Sequence, residues 1–167
     1  MKKTGLWLEW GFLFITVPLV TWLFDLPVSK FLIFALPIVY ALVIYRWREG
    51  RVTPKASLAW LPIGVRVVTI SAGLFVFSYV VFPETFLWIP REKPQLWIMI
   101  MLLYPLVSAL PQEFFYRQFY FWRYREIMPR SSMLMTSSIV TFGFLHVMYD
   151  NWVAVVLSTM GGVLFTF

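Results

Sequence analysis

Apolar residues run almost unbroken for stretches near 20 residues, separated by short polar or basic segments. The runs are roughly Leu6 to Phe24, Phe31 to Tyr45, Ile63 to Phe82, Leu96 through Pro105 to Pro111, Ser132 to Met148, and Trp152 to Phe167. A bilayer core of about 30 Å needs about 20 apolar residues in a helix. The runs are continuously apolar rather than alternating, so they predict helices and not barrel strands. The expected fold is all-α, a polytopic transmembrane helix bundle of about six spans. Helical patterning continues past Pro111, from Gln112 to Tyr124. Pro105 and Pro111 are expected to kink or break that helix, because proline lacks an N–H and its ring meets the preceding turn. Gly64 and Gly73 are expected to admit close helix approach.

Composition agrees with the pattern. The 167 residues are 60% hydrophobic and only 13% charged, whereas soluble domains are about 25% charged. One membrane domain over 1–167 is expected, with scaffold spans over 1–110 and a chemistry-bearing region over 111–167. There is no cysteine, which excludes disulfides, thiolate metal sites and a cysteine nucleophile. The start, MKKTGLWLEW, is basic like a signal peptide, but the apolar run after it has no clear cleavage site, so a retained first span is expected. Trp7 and Trp10 suit a head-group belt, and Glu9 beside them reads as an interfacial carboxylate. Phe86, Leu87, Trp88 and Ile89 in the linker PETFLWIPREKPQ read as lying along the interface.

The net charge is +6. Its Lys and Arg residues sit between apolar runs, so they read as topology determinants and contacts to anionic head groups. No polar domain exists to carry a nucleic-acid partner, and none is expected. Lys2 and Lys3, the loop from Arg46 to Lys55 with Arg48 and Arg51, and the stretch Arg123, Arg125 and Arg130 fall on alternate connections. Six spans then put all three on one side, the cytoplasmic one, with the N-terminus. The other side receives the turn Asp25, Leu26 and Pro27 with Lys30, the linker, and Asp150. The expected location is the plasma membrane of a prokaryote. This topology places Gln112 to Arg117 toward the cytoplasmic end of span four and His146 toward the far end of span five.

Those two places carry the chemistry. Charged or titratable groups at membrane depth are costly and mark functional sites. Glu113 and Arg117, four apart, share a helix face and can pair. The pair is either a structural ion pair or part of a site. His146, the only histidine, shares a face with Phe142. It either bonds a neighbouring carbonyl or hydroxyl, or moves protons together with a carboxylate that activates water. The aromatic run Phe114, Phe115, Tyr116, Phe119, Tyr120, Phe121, Trp122 reads mostly as lipid-facing and packing residues. A zinc site usually takes three protein ligands. Glu113 and His146 supply two and Asp150 is a distant third, so no metal or other cofactor is expected. A proton relay in a transporter is a further reading of the same pair.

PQEFFYR, followed about thirty residues later by FGFLH, resembles the first two motifs of the CAAX protease and bacteriocin-processing (CPBP, or Abi) family. The family's pattern is E-E-x-x-x-R, then F-x-x-x-H, then a third motif with a further His. The resemblance covers roughly Pro111 to Phe165, including Gly161 and Gly162. It implies a multi-span intramembrane endopeptidase acting on membrane-embedded or prenylated peptides, in which a glutamate and a histidine activate water. Family members have also been described as metalloproteases. Glu113 falls on the second Glu of the first motif and Arg117 on its Arg. Phe142 and His146 fall on the Phe and His of the second motif. Gln112 stands where the family's first Glu, the base in that mechanism, is expected; an amide cannot take up a proton at neutral pH and can only position water. The implied site is Glu113, His146, Arg117 and Gln112. No third motif follows GGVLFTF, so the chain is expected to be a C-terminally truncated piece. The alternative function is an inactive CPBP-like membrane scaffold or bacteriocin-immunity protein.

Overall fold

The computed structural model describes residues 3–24, 30–49 and 60–166. Lys2, the Asp25–Leu26–Pro27 turn and the basic loop residues Arg51 and Lys55 lie outside these described residues. Every regular element among the described residues is helical. We label them α1 (Lys3–Leu23), α2 (Lys30–Glu49), α3 (Trp60–Val81), α4 (Trp88–Glu92), α5 (Pro94–Tyr124), α6 (Ser131–Leu145) and α7 (Trp152–Thr166). Among the described residues four helical stretches are long and apolar enough to cross a membrane: Lys3–Leu23, Gly64–Val81, Pro94–Tyr124 and Ser131–Tyr149. The other two expected spans fall on helices, the 20-residue α2 and the shorter apolar stretch Trp152–Leu164, that are not among those four.

The prolines do not end their helices. A π-turn, Pro105–Ala109, carries α5 onward, and Pro111 follows two residues later inside the next helical turn. The same arrangement occurs in α1, where the π-turn Phe12–Thr16 precedes Pro18. A proline ring clashes with the carbonyl four residues before it, and that carbonyl lies within the widened π-turn in both cases. The extra residue in the turn relieves the clash and the chain stays helical.

Two compact units emerge. One comprises residues 51–108. In it Phe86 packs edge-on against Phe75 and Tyr79, at centroid distances of 4.9 and 5.3 Å. Lys93 lies 5.2 Å over the Trp88 ring. Gly64 and Gly73 meet nothing within 4 Å, so the close approach expected of them does not occur among the described residues.

The other unit, residues 1–50 and 109–167, holds the core and every candidate site residue. Its centre is Phe14, fully buried. Phe14 stacks on Phe115 at 4.9 Å and meets Tyr116, Tyr120 and Tyr124 edge-on at 5.4, 4.9 and 5.7 Å. Offset and edge-to-face pairs satisfy the ring quadrupoles and add to dispersion. In the aromatic run, Phe115, Tyr116, Phe119 and Tyr120 therefore supply the core packing expected of part of it. The run is buried because α5 is covered on several sides. α1 brings Phe14, α2 brings Phe34 and Tyr45, and α6 brings Phe142.

Glu9 is not the interfacial carboxylate expected. It accepts two hydrogen bonds from Arg123, Nε to Oε1 at 2.8 Å and Nη2 to Oε2 at 2.6 Å, plus one from the Tyr124 hydroxyl at 3.1 Å. The side chains of Arg123 and Glu9 are only 5% and 10% exposed. Arg123 accordingly belongs to the last turn of α5 and not to a free basic loop. The pair joins the first half of α1 to the end of α5. At the opposite end of α1, Trp22 Nε1 donates to Asp150 Oδ1 at 2.6 Å.

Candidate active site

Glu113 closes a short α-turn, and a third π-turn, Phe114–Phe119, follows at once. Such turns recur at functional sites. Arg117 Nε donates to Glu113 Oε1 at 2.7 Å, so the expected pair forms. The Glu113 side chain remains 57% exposed against 23% for Arg117. One carboxylate edge is thus held while the group stays open on its other side. Gln112, one residue earlier, is partly buried.

His146 stands where α6 stops being an α-helix. α6 runs to Leu145, and a 3-10 turn, His146–Tyr149, takes over. The backbone N–H of His146 turns to the Gly143 carbonyl instead of the Phe142 carbonyl. That tightening frees the Phe142 carbonyl from the helix ladder, and the His146 ring takes it at 2.9 Å through Nδ1. A carbonyl only accepts, so Nδ1 carries the proton and Nε2 is left with a lone pair. The Phe142 ring packs edge-on against the imidazole at 5.1 Å. The four-residue spacing of the second motif therefore serves two purposes, a ring contact and a tautomer-fixing carbonyl.

α5 and α6 are held in antiparallel register near the site. Ser138 Oγ donates to the Tyr116 carbonyl at 2.6 Å, and Phe142 packs edge-on against Tyr116 at 5.1 Å. α5 continues to Tyr124, as the helical patterning past Pro111 predicted, which leaves Glu113 well inside the helix. Among the described residues no hydrogen bond or ion pair joins Glu113 to His146; each holds its own partner. Tyr116 lies between the motifs, fully buried, with a hydroxyl that has no partner among the described residues.

Behind His146, α6 crosses α7 at two glycines. A Cβ on Gly143 would collide with the Thr159 side chain, and one on Gly162 would press Ile139 Cγ2 at 3.3 Å. Thr159 is fixed by its hydrogen bond to the Val155 carbonyl at 2.7 Å. Gly143 is thus needed both for the crossing and as the carbonyl that receives the His146 backbone N–H. Asp150 adopts a left-handed conformation, φ 52°, after the 3-10 turn. It is engaged by Trp22, and Asn151 Oδ1 caps α7 by accepting the Val153 N–H at 3.0 Å. Among the described residues no three His, Cys, Asp or Glu side chains group as metal ligands. The donors present do not make up a three-ligand zinc set.

Comparison with known families bears on the same stretch. Residues 94–167 match the family model described as type II CAAX prenyl endopeptidase Rce1-like. The match contains both motifs and agrees with the CAAX-protease resemblance of the sequence. No curated protein and no solved structure matches the chain. The Rce1-like region thus holds Gln112, Glu113, Arg117, Phe142 and His146 on two antiparallel helices. The matched stretch includes two of the helices long and apolar enough to cross a membrane, Pro94–Tyr124 and Ser131–Tyr149.

Sequence reasoning missed two contributors to this arrangement. Glu9 and Phe14 lie far from the motifs in sequence and near them in space. The signal for Glu9 was a carboxylate inside an apolar run with an arginine late in another. Phe14 carried no signal, since one phenylalanine among many shows no partner.

Proposed function

We propose that the chain is an intramembrane endopeptidase of the CPBP type that hydrolyses peptide bonds of membrane-associated or prenylated substrates. The observation that supports this reading is the packing of the two motif-bearing helices, with Ser138 Oγ donating to the Tyr116 carbonyl at 2.6 Å, inside the Rce1-like match over residues 94–167. In the proposed reaction Glu113 takes a proton from water, and the resulting hydroxide adds to the scissile carbonyl carbon. The C–N bond then breaks, and the proton passes to the departing amine. His146 Nε2 accepts a hydrogen bond from the same water and orients it. Arg117 holds Glu113 in place, and Gln112 positions water without taking up its proton. No step calls on a metal.

The test is cleavage of a prenylated peptide by the protein in proteoliposomes. Glu113→Gln keeps the shape and removes the base, and it is expected to abolish measurable cleavage. Gln112→Glu restores the family's first carboxylate and is expected to raise it. Cleavage that survives in Glu113→Gln would overturn the assignment. Gln112 itself favours a second reading, an inactive membrane scaffold or bacteriocin-immunity protein. Cleavage absent from both wild type and Gln112→Glu would select it.

We place the N-terminus in the cytoplasm of a prokaryotic cell. Lys3 begins α1, and the Glu9–Arg123 pair brings the arginine-rich end of α5 to the same side. The chain has no cysteine, so a Thr4→Cys variant offers a single thiol. It should react with an impermeant maleimide only after the cells are opened; labelling of intact cells would reverse the orientation.

A further inference from the structure

Away from the candidate active site, a groove of about 550 Å3 runs between α1 and α6. Trp10 and Ile15 form one wall, and Ser132, Thr136 and Val140 form the other, with Arg130 at the mouth. Ser132, Thr136 and Val140 are spaced by four and make one ridge of α6. The groove is graded in polarity along its length. Arg130 is an exposed cation immediately before α6, with no ion-pair partner among the described residues. Lys3, seven residues before Trp10, lies on the same face of α1, about 10 Å toward the same end. Ser132 and Thr136 come next, both exposed, and neither hydroxyl has a partner among the described residues. Farther in, the polar groups satisfy one another. Trp10 Nε1 donates to the Tyr120 hydroxyl at 2.7 Å, and Thr141 Oγ1 donates to the Ser137 carbonyl at 2.8 Å. Val140 and Ile15 then leave the inner groove apolar.

Unpartnered hydroxyls facing lipid are costly, and here they sit within about two turns of a pair of cations. Thr136 is about 9 Å along the helix from Arg130, and Val140 about 15 Å. The head-group and ester zone of one leaflet is about 5–8 Å thick. The sequence of features therefore matches an anionic glycerophospholipid read from its head. A phosphate meets Arg130 and Lys3, glycerol ester oxygens accept from Ser132 and Thr136, and an acyl chain lies over Val140 and Ile15. We infer that this groove is a specific site for one anionic phospholipid, wedged between the N-terminal helix and the helix that carries His146. The net charge of +6 favours an anionic head over a zwitterionic one. The inference stands apart from the peptidase reading, since no groove residue belongs to the proposed catalytic set.

Native mass spectrometry of the whole chain tests it, after exchange into detergent with either phosphatidylglycerol or phosphatidylcholine of matched acyl chains. One phosphatidylglycerol is expected to be retained several-fold more than phosphatidylcholine. Arg130→Gln and Lys3→Gln should each lower that retention about fivefold. Thr136→Val should lower retention of both lipids. Arg46→Gln, an exposed cation elsewhere, should leave retention unchanged. Equal retention of the two lipids by the wild type, or an equal loss in Arg46→Gln, would overturn the inference. So would a lipid-free dimer that phosphatidylglycerol fails to displace, which would assign the groove to a second copy.

Discussion

Arg123→Met is expected to destabilise the fold by about 3–5 kcal/mol. The methionine fills much of the arginine's volume, so the loss is chiefly electrostatic. Glu9 would keep only hydroxyl donors, Tyr124 at 3.1 Å and Tyr40, and lose both charged hydrogen bonds. A carboxylate only 10% exposed cannot recover water in their place. Breaking one side of a buried pair costs more than the pair contributes, because the other charge is stranded. The double variant Glu9→Gln with Arg123→Met should therefore regain most of the stability. Unfolding of the detergent-solubilised protein in increasing SDS measures both. A loss under about 1 kcal/mol in the single variant would mean that the pair behaves as a solvated surface bridge. α1 is held to α5 here as well as at Phe14, so cleavage activity should fall in step with folding and not separately from it.

His146→Ala is expected to lower peptide cleavage by roughly 10²-fold or more, because the attacking water loses the group that orients it. The substitution leaves the backbone able to make the 3-10 turn and removes the ring contacts to Phe142 and Tyr149 and the Nδ1 hydrogen bond to the Phe142 carbonyl. Expression and the unfolding midpoint should change little, which separates this variant from Arg123→Met. His146→Gln is the sharper probe, since its amide can reach the freed Phe142 carbonyl but offers no basic nitrogen. Near-normal cleavage with glutamine would reduce His146 to a packing and capping residue. Loss in both variants with folding intact is the outcome that the proposed chemistry requires.

The helix bundle was legible because lipid is a uniform solvent. A segment near 20 residues without charges declares itself by length and composition, and the all-α architecture followed. The pairing of Glu113 with Arg117, and of Phe142 with His146, was legible for a similar reason. Helical spacing is local, so residues four apart share a face whatever the rest of the chain does. The Rce1-like match at residues 94–167 spans the same local motifs.

Other features required distant parts of the chain to meet. Glu9 reads alone as an interfacial carboxylate, and only the packing of α1 on α5 turns it into half of a buried ion pair. The aromatic run on α5 cannot show which rings face lipid, because every face of such a helix is apolar and burial depends on what arrives to cover it. Pro111 signals a break by its chemistry, but a π-turn gives its ring room and lets the helix run on. That local adjustment leaves Glu113 in the helix interior. The sequence by itself determined the spans, the two motifs and the pairs within each turn, since these depend on residue type and short spacing. The tertiary structure alone decided the register of α5 against α6, the Nδ1–H tautomer of His146 and the charge partner of Glu9. Each of these depends on which carbonyl, ring or carboxylate the fold brings within about 3–5 Å, the range over which hydrogen bonds and ring contacts act.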